Sequence, residues 1–131
     1  MPEQLRITII LPVKAEHLYN AWLDSEEHAA FTGASAEIVP MVGGEFSAWD
    51  GYIQGKILLL EPFQRIVQSW RTSDFPLEAP DSQLEITFED DGEQTLLTLN
   101  QSNIPDGQSA EYKQGWVDYY FKPMQAYFSA H

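Results

Sequence analysis

The stretch Ser109–Phe128 reads SAEYKQGWVDYYFKPMQAYF. At helical spacing, Tyr112, Trp116, Tyr119, Tyr120, Pro123 and Tyr127 form one stripe. Val117, Phe121, Met124 and Phe128 form a second stripe about 100° away. Gln114, Asp118, Lys122 and Gln125 line the polar side. Roughly half the circumference is therefore apolar, more than a helix resting on a flat surface needs. A helix of this kind predicts a concave partner that wraps it. Pro123 has no N–H and predicts a kink near Tyr119.

The rest of the chain supplies such a partner. Leu5–Leu11 alternates Leu5, Ile7, Ile9 and Leu11 against Arg6, Thr8 and Ile10, the mark of a half-buried strand. Lys14–Trp22 places Ala15, Leu18, Ala21 and Trp22 on one helical face. Asp24 predicts an N-cap with Glu27 at the third helical position, opening a helix from Ser25 to Phe31 that stops near Gly33. Extended segments follow at Ala36–Val39, Glu45–Trp49, Tyr52–Leu60, Arg65–Arg71, Gln83–Glu89 and Thr95–Gln101. Gly43-Gly44, Asp50-Gly51, Glu61-Pro62 and Asp91-Gly92 mark turns, and Thr72–Asp81, with Pro76 and Pro80, reads as a loop. Short turns between six or seven strands imply an antiparallel, meander-like sheet. The expected class is α+β: a curved sheet with two short helices and a long C-terminal helix across it.

Bulk properties narrow the function classes. A length of 131 residues fits one domain, 1–131, large enough for a core without disulfides. There is no cysteine, so thiolate chemistry is absent. Twenty acidic residues against seven Lys and Arg give a net charge of −13. That surface repels phosphate backbones and anionic membranes, so neither nucleic acid nor membrane is an expected partner. The acids are spread over Glu26-Glu27, Glu78, Asp81, Glu89-Asp90-Asp91 and Glu93. Spread charge suits solubility, and steering towards a basic protein partner is the alternative. No basic, apolar leader opens the chain and no apolar run reaches membrane length, so a cytoplasmic location is expected.

Motifs for catalysis are missing. His17, His28 and His131 lack metal-ligand spacing, and no Gly-x-Ser-x-Gly or phosphate-cradling loop occurs. No metal, cofactor or catalytic residue is therefore assigned. His28, Tyr119 and Tyr120 are the only nominees for acid–base work, each without an evident partner. Asp50 reads as a turn residue before Gly51. The informative group is aromatic. Phe46, Trp49, Trp70, Phe88, Trp116, Tyr119 and Tyr120, with Gln68, are expected to converge between sheet and helix. They read either as ordinary core or as an incompletely filled groove for a small hydrophobic ligand. Gln68 shares the alternation of Ile66 and Trp70. If that face is inward, its amide needs a partner: a hydroxyl of Tyr119 or Tyr120, a water or a ligand.

Several strings recur together in one known family. They are Ala29-Ala30-Phe31-Thr32-Gly33, Gly43-Gly44-Glu45-Phe46, Asp50-Gly51-Tyr52-Ile53-Gln54-Gly55, Leu60-Glu61-Pro62, Arg65–Arg71 and Gly115–Phe121. In that order they resemble the C-terminal domain of the Aha family, activators of the ATPase of the ninety-kilodalton heat-shock chaperone. The likeness runs from about Leu5 to Phe128 and implies the helix-grip (START-like, SRPBCC) fold. It also implies a non-catalytic module with a heat-shock chaperone as partner. Relatives in the wider superfamily enclose hydrophobic molecules, which implies ligand carriage as the alternative and a cyclase-type enzyme as a third reading. A cavity below about 300 Å³ would weigh against carriage. Ligand, partner and oligomeric state are not fixed by the sequence.

Overall fold

The computed structural model describes residues 2–130. The elements run β1 (Glu3–Leu11), α1 (Ala15–Leu23), α2 (Ser25–Thr32), β2 (Glu37–Ile38), β3 (Glu45–Ala48), β4 (Ile53–Glu61), β5 (Arg65–Thr72), β6 (Ser82–Asp91) and β7 (Gln94–Ile104). The terminal helix follows as α3 (Ser109–Gly115), a π-helical segment (Trp116–Phe121) and α4 (Lys122–Ala130). The strands form one antiparallel sheet in the order β1-β7-β6-β5-β4-β3-β2. From β2 to β7 each strand pairs with its sequence neighbour, so short turns suffice. The first strand closes the far edge against the last. This is the expected α+β helix-grip arrangement, with the terminal helix held in the concave face.

The period-two pattern acts where it was read. Leu84, Ile86 and Phe88 of β6 are buried, while Gln83 and Glu89 are exposed. Leu97 and Leu99 of β7 and Ile57 and Ile66 of the central strands are completely buried beside them. Burial of such side chains contributes roughly 1.5–3 kcal/mol each before entropy is counted. β7 runs three residues further than the alternation suggests, because its end pairs with β1 through Gln101↔Leu5 and Ile104↔Glu3. That pairing partner lies too far away in sequence for a local pattern to show it.

The helix entry and exit follow local chemistry. Asp24 Oδ2 accepts from the Glu27 amide at 2.9 Å, satisfying an orphan donor of α2. Gly33 ends α2 with φ +81°, a left-handed conformation that carries no Cβ penalty in glycine. Gly55 has a different task. A Cβ there would lie 1.9 Å from the Ser69 carbonyl oxygen and 2.7 Å from the Phe46 ring, so only glycine lets β4 pass.

Pro123 acts differently from the expected kink. The Lys122 amide donates to the Val117 carbonyl, five residues back. A wide π turn thus precedes the proline and absorbs its missing donor and ring volume. The extra residue also shifts the phase of the buried face. Tyr112, Trp116 and Tyr120 face inward before it, and Phe121, Met124 and Phe128 after it. The two stripes of the sequence therefore join end to end in one buried seam. Tyr119 is turned out and is 59% exposed.

Candidate functional site

A cleft of about 270 Å³ opens between the terminal helix and the β3–β4 end of the sheet. Its walls are Trp49, Tyr52 and Ile53 from the β3–β4 hairpin, Trp70 from β5, Tyr112 and Gly115 from α3, and Trp116, Tyr119 and Tyr120 from the π segment. Seven of these nine residues are Trp or Tyr, and none is charged. The rings brace one another. Trp70 and Trp116 have centroids 5.6 Å apart, Trp116 and Tyr120 4.8 Å, and Trp70 meets Tyr112 edge-to-face at 5.0 Å. Trp49 meets Tyr119 edge-to-face at 5.4 Å across the mouth.

Polar contacts fix this aromatic wall from behind. The Trp116 indole N–H donates to Gln101 Oε1 at 2.9 Å. The Gln101 amide donates to Ser82 Oγ at 3.0 Å, and Ser82 donates to the Trp70 carbonyl at 2.6 Å. Gln101 is fully buried, so this chain of bonds satisfies groups that would otherwise be costly. Both Trp116 and Trp70 are thereby held by one buried network.

The hairpin that presents Trp49 is bent and clamped. Trp49, Asp50 and Gly51 all have positive φ, at 53°, 58° and 91°. For Trp49 and Asp50 that conformation costs on the order of 1–2 kcal/mol each unless compensated. Asp50 Oδ1 accepts from the Ser35 amide at 3.0 Å and from the Ser35 hydroxyl at 2.7 Å. These bonds hold the Asp50 carboxyl below its ordinary range. Asp50 is thus a clamp on the loop after α2 as well as a turn residue, a role its Asp-Gly context does not reveal. The Trp49 indole N–H lies near enough to the Tyr120 hydroxyl to favour its anion, but makes no hydrogen bond of good geometry.

Of the eight residues expected to converge, Trp49, Trp70, Trp116, Tyr119 and Tyr120 share the cleft. Phe46 and Gln68 lie deeper, around a tight space of about 10 Å³ closed off by Trp70, Trp116 and Tyr120. Phe88 belongs elsewhere: it packs against Tyr19 of α1, ring centroids 5.7 Å apart, because the inward face of β6 lies under that helix at this level. Gln68 does face inward with Ile66 and Trp70. Its partner is none of those expected. Trp22 Nε1 of α1 donates to Gln68 Oε1 at 3.0 Å, 46 residues away in sequence. Tyr52, Ile53, Tyr112 and Gly115 complete the cleft, and Tyr112 was visible on the helix stripe.

His28 has a partner that the sequence does not show. Its Nδ1–H donates to the Trp22 carbonyl at 2.9 Å, which leaves Nε2 to accept from the Tyr120 hydroxyl at 2.8 Å. Burial lowers the His28 pKa to about 4, and burial also raises that of Tyr120. At neutral pH both are neutral, and the only free ring nitrogen is spent on Tyr120. The pair is suited to fixing the back wall of the cleft, not to exchanging protons with a substrate. Among the described residues no group of three His, Asp or Glu side chains could hold a metal ion. No helix among them is long and apolar enough to cross a membrane. His131 lies outside the described residues.

The family follows from comparison. The family model of "Activator of Hsp90 ATPase homolog 1-like protein" matches residues 12–129. The chain belongs to this family. The human Activator of 90 kDa heat shock protein ATPase homolog 1 is 33% identical over 113 residues, covering 86% of this chain and 33% of the human protein. The chain thus spans about a third of the length of the curated relatives it matches. The crystal structure of an HSP90 activator from Plasmodium falciparum has a TM-score of 0.89 and 27% identity over 96% of each chain. CalU16 from Micromonospora echinospora has the same fold, with a TM-score of 0.76 and 22% identity over 94% of this chain and 76% of that one.

Proposed function

We propose that this Aha-type domain is a non-catalytic interaction module that binds a ninety-kilodalton heat-shock chaperone and tunes its ATPase. The end-to-end correspondence with the Plasmodium falciparum HSP90 activator carries the reading. The site adds support, because its one buried titratable pair, His28 and Tyr120, is spent on internal bonds. Met41 and Val42, exposed in the loop before β3, offer apolar contact on an acidic surface. A net charge of −13 favours a basic patch on the chaperone and makes the association rate salt-sensitive. The test is a chaperone ATPase titration with the full chain, paired with calorimetric binding. A saturable change in turnover, with binding that weakens as salt rises, is expected. Unchanged turnover together with no binding at high micromolar concentration overturns the proposal.

A second reading, a binding site for a small molecule, rests on the braced aromatic walls of the cleft, whereas its volume weighs against carriage of a hydrophobic ligand, as expected of a cavity below about 300 Å³. Its 270 Å³ lies just under the usual floor for ligand pockets of about 300 Å³, so a large lipid or polyketide does not fit inside it. Only a small group, or one end of a larger molecule, suits the space.

A further inference from the structure

We propose that the aromatic cleft selects a small organic cation, of the quaternary or alkylated ammonium class, over a neutral apolar group of the same shape. This rests on the second reading above, that the cleft is a binding site, and is independent of the chaperone.

The argument is one of composition and charge together. A neutral hydrophobic pocket is ordinarily lined with aliphatic side chains as well as rings. Here a single aliphatic side chain, Ile53, lines the cleft beside three indoles and four phenols. Ring faces attract cations through their quadrupole, and indole is the best of them. A single such contact is modest, so selectivity needs several rings around one volume. Trp49, Trp70 and Trp116 with Tyr119 line this one volume.

Carboxylates stand beside the cleft wall. No Lys, Arg or His lines the cleft. A carboxylate is tied to its wall: the Tyr52 hydroxyl donates to Asp74 Oδ2 at 2.6 Å. Tyr112, the neighbouring wall residue, also lies in the field of Asp74, and of Glu111 on its own helix. Arg71, three residues before Asp74, is engaged with Asp81 at 2.8 Å and with the carbonyls of Pro76 and Ala79. Over the whole chain the excess of thirteen negative charges draws cations inward.

The test uses choline and its neutral carbon isostere 3,3-dimethylbutan-1-ol as probes of the full chain. Indole N–H resonances report occupancy. For several cation–π contacts in a small cleft, a choline dissociation constant on the order of 1 mM is expected, with the isostere at least about tenfold weaker. Gly115→Met should abolish choline binding by filling the cleft. The helix backbone tolerates a side chain there, since a Cβ meets only the Tyr119 ring at 3.7 Å. Tyr119→Ala, at an exposed rim position, should weaken choline severalfold without unfolding the protein. Equal binding of choline and the isostere overturns the proposal in favour of a neutral apolar site. Failure of both probes to bind at about ten times the expected constant overturns it together with the small-molecule reading. Neither outcome bears on the chaperone assay.

Discussion

Acidification from pH 8 to pH 5 should cost this protein stability through one residue, His28. In the folded chain its pKa is lowered to about 4 by burial. In the unfolded chain it returns to about 6.5. Between those values the unfolded state binds a proton that the native state refuses, so stability rises with pH across that window. The His28 contribution is complete above about pH 6.5 and lost as the pH falls towards 4. Over the whole window it amounts to about 3 kcal/mol, and about 2 kcal/mol is gone by pH 5. Physically, protonation at Nε2 destroys the acceptor for the Tyr120 hydroxyl and places a charge among the Trp22, Phe31 and Tyr120 rings. Other groups titrate at acid pH, so the measurement is a difference. Urea unfolding of wild type and His28→Gln, each at pH 8 and pH 5, should show the variant losing about 2 kcal/mol less than wild type. The variant's overall loss of stability cancels in that comparison. Equal pH losses in both proteins would refute the reasoning. So would a wild-type His28 whose ring resonances titrate near pH 6.5.

Two further substitutions probe the frame around the cleft. Gly55→Ala should destabilise by at least about 3 kcal/mol in urea unfolding, because the new methyl group meets backbone at Ser69, which cannot move aside. A loss under about 1 kcal/mol would mean that β4 and β5 yield more easily than this packing allows. Gln68→Leu should cost about 1–3 kcal/mol by leaving the Trp22 N–H buried without an acceptor. Adding Trp22→Phe to it should then cost less than Trp22→Phe does alone, and strict additivity in the double-mutant cycle would rule out the bond as a stabilising pair.

What was legible depended on the range of the interaction. Period-two alternation and local caps act within a few residues, so the strands, both short helices, the Asp24 cap and the Gly33 stop were all readable. The wide apolar arc of the terminal helix implied a concave partner, and the curved sheet provides it. What escaped notice is long-range or arises from competition. The His28–Tyr120 bond spans 92 residues and the Trp22–Gln68 bond 46. No spacing rule connects such pairs. Phe88 alternates in step with Leu84 and Ile86, yet the face they share is long enough to lie under two different helices, and alternation does not say which. At Pro123 a kink and a π turn both relieve the missing donor, and local sequence does not choose between them.

Several irregular features of this chain meet at the cleft. The π segment contributes Trp116, Tyr119 and Tyr120 to the cleft, and the positive-φ hairpin contributes Trp49. The buried amide of Gln101 props Trp116, and the His28 ring props Tyr120. Each feature departs from what a regular helix, a tight hairpin or an apolar core would use. Strained backbone and buried polar groups persist where the surroundings compensate them, and they gather at functional sites. Three sets of bonds reach the wall: the Ser35–Asp50 clamp beside Trp49, the Ser82–Gln101 network behind Trp70 and Trp116, and the His28 bond to Tyr120. These bonds tie the rings that border the cleft to the sheet and to α2.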